Sequence, residues 1–260
     1  MNKRLNSIFT IFIITILSII TLFTFAPLAL IIVRGVAKIK IALQSSEIIF
    51  SIILSFKTAI ISTLICLFFA LPTSYGLSRY DFPFKKTIAS IIYLPMSFPH
   101  LVSGIALLLI FANTSIGTFL SKLGIDFVFT VEGIIAAQIF VNMPYMVKML
   151  KNSFDNVNSK TEFIARTLGC NKWQSFFHIT LPMIKRGMIS AIIMTWSRAL
   201  GEFGAVMMLA GATRFRTETL PIAIFLNIST GDLDLAIAIA TILIIISTAS
   251  ILIFEALDKE

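Results

Sequence analysis

The chain has 260 residues, 57% of them hydrophobic and only 13% charged, and a mean hydropathy of +0.96. Soluble domains carry about 25% charged residues, so no water-surrounded core accounts for this much apolar surface. The net charge of +8 would suggest nucleic acid in a soluble chain, but no basic stripe interleaves with aromatics in a polar segment, and no nucleic-acid partner is expected.

A bilayer core about 30 Å thick asks for about 20 apolar residues in helix. Six segments meet that demand, at roughly 8–34, 51–78, 87–112, 131–150, 188–211 and 235–254. The first is too long for the apolar region of a signal peptide and lacks a small-residue cleavage site, so it reads as a retained span. The second carries Lys57 near its outer end, where a long side chain can snorkel. No strand-period alternation competes, and the fold class is an all-α membrane protein, a six-transmembrane-helix bundle. The chain divides into a first helix with its outer loop, 1–47, and a core, 48–256, that carries a polar loop at 152–187.

With the N-terminus inside, 13 of the 21 Lys and Arg fall on inside segments and 7 outside, with Arg198 within a span. This asymmetry places both termini in the cytoplasm. The basic first outer loop, with Arg34, Lys38 and Lys40, fits least well.

Prolines interrupt several spans: Pro72 the second, Pro95 and Pro99 the third, Pro144 the fourth. Each removes an N–H and frees a carbonyl one turn back, which must be satisfied by neighbours or by water in a cavity. Ser97, Pro99 and Ser103 therefore either tune a packing kink or line a path.

The polar loop holds EFIARTLGCNKWQSFFHITLP, Glu162–Pro182. Ser159 and Glu162 have capping-box spacing. Gly169 sits where a left-handed C-cap is wanted, and Asn171 with Gln174 can start a second short helix. Helices this short are marginal alone in water. Phe163, Ile164 and Leu168 share a face, with Trp173, Phe176, Phe177 and Ile179 beyond. Exposed aromatics of this kind suit a protein interface or an amphipathic segment lying on headgroups.

In the fifth span, Arg198 and Glu202 are four apart and neighbours on one helical face, and ionisable groups at that depth turn to the bundle interior or to water. They form either a structural ion pair or a gate. Gly201 and Gly204 permit close helix approach. Arg214 and Arg216 flank the outer mouth, as plain solvated charges or as a grip for an anion or a binding protein. His100 and His178 stand alone as packing or surface groups. Cys66 and Cys170 make neither a disulfide framework nor a metal site. No catalytic set converges, no P-loop pattern occurs, and no metal or cofactor is expected.

The loop resembles the EAA loop of ABC-importer permeases, E-A-A, three residues, G, nine residues, I-x-L-P. Ala165, Gly169, Ile179, Leu181 and Pro182 fall at its offsets, while its Glu falls on Phe163, its middle Ala on Ile164, and Glu162 stands one residue early. The run RALGEFGAVMMLAG from Arg198 resembles R-A-x-G-E-[FY]-G-x of sulfate, molybdate and tungstate permeases. TETLPIAIF at 217–225 resembles the outer loop T-x-T-L-P-x-A-I-[FY] of the molybdate/tungstate branch.

These resemblances imply a type I ABC importer permease that is not itself an enzyme. Two cytoplasmic ATP-binding subunits would dock on the loop through Glu162, Phe163, Ile164, Ala165, Gly169, Ile179, Leu181 and Pro182. An external oxyanion-binding protein would deliver molybdate or tungstate, or alternatively sulfate or thiosulfate. A second permease copy would complete the path. The rival class is a stand-alone secondary transporter, which would need intramembrane carboxylates and inverted repeats; Glu202 is the one central carboxylate.

Overall fold

A computed structural model describes residues 2–258, and side chains between 9 and 253. The side chains of Lys3, Arg4 and Lys259, which weigh in the charge asymmetry, lie outside the described residues. All regular structure among the described residues is helical. Among the described residues four helices are long and apolar enough to cross a membrane, or six if two bent pairs each count as one span.

Helix α1 (Asn2–Gln44) is much longer than the expected first span. It absorbs the basic segment read as an outer loop, and Lys38 Nζ meets Asp234 Oδ2 at 2.5 Å. Its apolar side chains are exposed almost all the way along, as a surface solvated by lipid requires. It touches the chain mainly through α13 (Leu233–Asp258). There a Cβ on Gly35 would collide with Thr241 Oγ1, and that hydroxyl donates to the Ile31 carbonyl at 3.1 Å.

The spine of the bundle is α2 (Ser46–Arg79) against α6 (Val131–Asp155). Ser51, Ser55, Thr58 and Ser62 recur along one face of α2, all buried. Water drives no apolar helices together inside lipid, so close backbone approach through small residues takes that role. The hydroxyls of Thr58 and Ser62 return to the carbonyls of Leu54 and Ala59, at 2.9 and 3.1 Å. Gln138 of α6 donates from Nε2 to the Ala199 carbonyl at 2.9 Å, tying in the next helix.

Two spans depart from their expected form. The segment 87–112 is not one helix. It is α3 (Lys85–Tyr93), a 3₁₀ turn Leu94–Ser97, and α4 (His100–Asn113), with a bend of 112° between the two halves. Pro95 starts the turn and Pro99 occupies the N-cap of α4, because proline cannot continue a helix but starts one well. A short α5 (Ser115–Lys122) follows. The segment 188–211 is also broken. Helix α10 (Lys185–Leu200) stops at Gly201, and α11 (Gly204–Ala210) restarts after it.

The sequence 217–225, read as an outer loop, is largely interior. Thr217, Glu218 and Thr219 are buried, and α12 (Leu220–Ser229) buries Leu220, Pro221, Ile222 and Ala223. The N–H of Leu220 donates to Ser55 Oγ at 2.7 Å. This segment is apolar enough to pack inside the bundle between α2 and α13. One buried cluster, including Leu54, Leu107, Ile134 and Leu209, fills the end of the bundle near α12. Another, including Leu77, Leu150, Phe154 and Ile184, fills the opposite end.

Candidate functional sites: the docked island and the interior charges

The polar island folds as α7 (Ser159–Thr167), α8 (Lys172–Ser175), a π turn Phe176–Thr180 and α9 (Leu181–Met183). Gly169 has φ +99°. The N–H of Gly169 bonds to the Arg166 carbonyl and that of Cys170 to the Ala165 carbonyl, both at 3.1 Å. This pair of bonds is a Schellman end, which needs a left-handed residue in the place glycine fills. The expected capping box at α8 is present: Gln174 N–H donates to Asn171 Oδ1 at 2.8 Å, and Asn171 N–H donates to Gln174 Oε1 at 2.9 Å.

The capping box expected at α7 is not formed. Asn158 caps instead, accepting from the Lys160 N–H at 3.0 Å. Glu162 is drawn away by stronger partners: Arg79 Nε donates to Oε1 at 2.8 Å, and Tyr75 OH donates to Oε2 at 2.9 Å. Arg79 Nη2 also donates to the Val157 carbonyl at 2.9 Å. Arg79 and Glu162 are 11% and 13% exposed at the side chain. Tyr75 packs edge-on against Phe154 and Phe176, with ring centroids 5.4 and 4.9 Å apart. Phe176 thus faces inward, contrary to its expected place on the exposed surface.

Glu162 and Phe176 fasten the island to the end of α2. The opposite face is left bare, with Phe163 66%, Leu168 80% and Trp173 73% exposed, and Ile164 beside them. Trp173 stacks on Phe177 at 6.0 Å. Ala165 is buried, Ile179 and Leu181 are half-buried, and Pro182 is exposed. A shallow pocket of about 450 Å³ opens between Phe163, Arg166, Cys170 and Lys172.

The expected pairing of Arg198 with Glu202 does not occur. Four-residue spacing gives neighbours only along an unbroken helix, and the chain breaks at Gly201 between them. Glu202, 3% exposed, swings to the start of α11. Its Oε1 accepts from the Ala205 N–H at 3.0 Å, and its Oε2 accepts from His100 Nδ1 at 2.8 Å. The carboxylate therefore clamps the start of α11 to the start of α4. Gly204 makes that clamp fit, because a Cβ there would press to 3.0 Å from the Cβ of His100.

Arg198 turns to α6. Its guanidinium carbon lies 3.6 Å from the centre of the Tyr145 ring, and Nε donates to Asn142 Oδ1 at 3.3 Å. No carboxylate lies within ion-pair distance of it among the described residues. Of the third-span candidates, Ser97 and Pro99 are exposed at the bend. Ser103 is buried with its Oγ unpartnered.

At the far end of α2, Arg214 is not free. Its Nη1 meets Glu47 Oε2 at 2.8 Å. Glu218, fully buried, accepts from the Phe215 N–H at 3.2 Å. Burial pushes its carboxyl up to about 7, and a hydrogen bond and charge from Glu47 act in the same direction. Arg216 lines a separate cavity of about 450 Å³ with Lys122, Asp126 and Thr118. Sequence reasoning missed Tyr145, Asn142, Glu47, Tyr75 and Arg79 as site residues and read His100 as a lone packing or surface group. Arg79 and Glu47, charges at the ends of an apolar run, and His100, an ionisable group within the third segment, carry a signal in the sequence. Among the described residues no group of His, Cys, Asp and Glu could hold a metal.

Helices broken at interior prolines and a glycine, hung with a polar island, make a multi-span membrane protein. Residues 70–260 match the family described as the binding-protein-dependent transport system inner membrane component, and the chain belongs to it. It is 35% identical over 202 residues to the molybdate/tungstate transport system permease protein WtpB of Methanocaldococcus jannaschii, covering 76% of this chain and 78% of that one. It is 34% identical over 203 residues to the molybdenum transport system permease protein ModB of Mycobacterium tuberculosis, covering 78% and 76%. Its fold matches a chain of a bacterial alginate ABC transporter solved in complex with an alginate-bound periplasmic protein. The TM-score is 0.77 at 18% identity, covering 97% of this chain and 94% of that one. The expected architecture, a type I ABC importer permease, is therefore the observed one.

Proposed function

We propose that the chain is the membrane subunit of an ABC importer for molybdate or tungstate, driven by two ATP-binding subunits that dock on α7 and α8. The observation that carries this reading is the two-sided island. One face is fixed to α2 through Glu162, Arg79 and Tyr75, and the other bares Phe163, Ile164, Leu168 and Trp173. A lever has this form, rigid at its root and apolar at its tip. Apolar residues clustered on a polar loop suit a protein partner. The substrate reading is supported by the names of the relatives and by the segments at 198–211 and 217–225.

In this reading the island faces the cytoplasm, as do both termini, and the Glu47–Arg214–Glu218 cluster faces outward. An external binding protein delivers the oxyanion there, and a second copy of this chain completes the path by two-fold symmetry. ATP binding in the partners moves the island, and Glu162 passes the movement to α2.

The test is reconstitution in proteoliposomes with the cognate ATPase and binding protein. Molybdate or tungstate at submicromolar concentration should stimulate ATP hydrolysis and be taken up. Stimulation by sulfate alone would move the assignment to the sulfate branch. Uphill uptake by this subunit without an ATPase would overturn it in favour of a secondary carrier.

A further inference from the structure

We propose that Arg198, Asn142 and Tyr145 form a subsite inside the membrane for the tetrahedral oxyanion itself, a resting point on its way through the bundle. The inference rests on the reading of the chain as an oxyanion permease, and goes beyond it by naming where this chain touches its cargo.

The first argument is an unbalanced charge. Arg79 and Arg214 each have a carboxylate oxygen at 2.8 Å. Arg198 has none, although the nearest interior carboxylate in sequence, Glu202, is only four residues away and is committed to His100 and the Ala205 N–H. An arginine inside a bilayer is costly unless it faces a partner or a wet cavity. Arg198 is 13 residues beyond Lys185 on α10, about 20 Å along the helix axis.

The second argument is an unused donor beside it. Asn142 is 1% exposed, and its Nδ2 makes no hydrogen bond. Its Oδ1 is already taken by Arg198 Nε, which leaves the N–H₂ of the same amide as the unused group. A buried donor without an acceptor is costly to fold. Only Nε of the guanidinium has a described protein acceptor, leaving the Nη groups. The open groups of the guanidinium and the amide are thus donors, and they select a ligand that accepts. A tetrahedral dianion is such a ligand, with several oxygens to bridge a guanidinium edge and an amide.

The third argument is the platform. The face of Tyr145 holds the guanidinium plane at 3.6 Å and stabilises the cation without neutralising it. One arginine and one amide make a weak site, which suits a path: the ion must be able to leave as well as enter.

The experiment compares the wild-type complex, Asn142→Asp, Arg198→Gln and Arg198→Lys in proteoliposomes containing the cognate ATPase and binding protein. Aspartate keeps the shape of asparagine and hands Arg198 the counter-charge that the cargo would otherwise supply. Uptake of labelled tungstate or molybdate by Asn142→Asp should fall by roughly tenfold or more, the loss of one charge-assisted contact, while its thermal stability is equal to or above wild type. Arg198→Gln should lose uptake similarly, and Arg198→Lys, which keeps the charge but not the fork, should retain part of it.

Near-wild-type uptake by Asn142→Asp overturns the subsite. So does a clear loss of its stability, since the proposal requires an uncompensated Arg198. If the wild-type complex takes up no oxyanion, the functional assignment fails first; if it does and Asn142→Asp matches it, only the subsite fails.

Discussion

Arg79 and Arg198 stand at two levels of the same bundle, each beside a tyrosine, and they are used in opposite ways. Arg79 meets the Glu162 carboxylate and the Val157 carbonyl, and its neighbour Tyr75 binds that same carboxylate. Arg79 and Glu162 thus satisfy each other. Among the described residues Arg198 meets an amide oxygen and a ring face and no carboxylate. A satisfied ion pair resists rearrangement and suits a joint that must carry force. An unsatisfied cation raises the energy of the empty state and suits a site that must be filled and vacated. The lesson is that the sign and position of a charge say less than whether its partners are already present.

The sharpest way to break the contrast is to make the closed site resemble the open one. Glu162→Ala strips Arg79 of its carboxylate in a corner where both groups are nearly buried. Removing one member of a buried pair typically costs about 3–5 kcal/mol, and partial exposure places this case at the lower end. The expected result is an island that detaches from α2, lost co-purification with the ATPase, and abolished uptake. The double variant Glu162→Met with Arg79→Met removes both charges and should recover much of the stability. If Glu162→Ala retained its ATPase and its uptake, the joint would not lie there.

A second break concerns the carboxylate that Arg198 does not reach. His100→Ala leaves Glu202 buried with the Ala205 N–H as its described partner. Loss of a charge-assisted bond in such a place costs about 1.5–3 kcal/mol. The expected change is a lower melting temperature in detergent, with α4 loosened from α11 in hydrogen exchange. If Glu202 instead shifted to pair with Arg198, uptake would fall while stability held, and the contrast between the two arginines would depend on His100.

Much of this was legible before any coordinates. The prolines and the Gly169 and Asn171 signals are local, and local physics placed them correctly. Two of the errors share an origin, the assumption that chemistry follows spacing along an unbroken helix. Gly201 breaks α10 and so separates Arg198 from Glu202. Asn158, one residue before Ser159, takes the cap, and Arg79, 83 residues earlier in the chain, takes Glu162. The segment 217–225 reads as an outer loop from its resemblance to one, yet its apolar half packs against α2 and α13. Partners brought together across the bundle, such as His100 with Glu202, leave no trace in the spacing of either.

The corner between α7 and α8 tests whether a lever can be softened without loosening its root. Nothing lies within 4 Å of a Cβ added to Gly169, but its φ is +99°. Gly169→Val therefore meets no clash and pays in backbone strain, about 1–3 kcal/mol. The bundle should melt as before, while ATP hydrolysis no longer drives uptake. Gly169→Ala should fall between the two. A valine variant with normal uptake would show that this turn does not transmit motion.

The smallest effect lies at the other end of α2, where Glu47 and Glu218 face each other beneath Arg214. Each has a buried Oε1 with no described partner. Burial above all, and then Glu47, raises the Glu218 carboxyl to about 7 from an ordinary value of 4.5, while the Phe215 N–H and Arg214 pull it down. A carboxyl raised in the folded state holds a proton that the unfolded chain has released. Its stabilising contribution is therefore complete below about pH 4.5 and is lost as the pH rises through about 7. The segment 213–219 should open more readily at pH 8 than at pH 6, measured as amide exchange corrected for its intrinsic pH dependence. Glu218→Gln, neutral at both, should flatten that difference and leave the Arg198 subsite unaffected. An unchanged pH slope in this variant would mean that the proton belongs elsewhere, and that the outer cluster is closed by Arg214 and Glu47 alone.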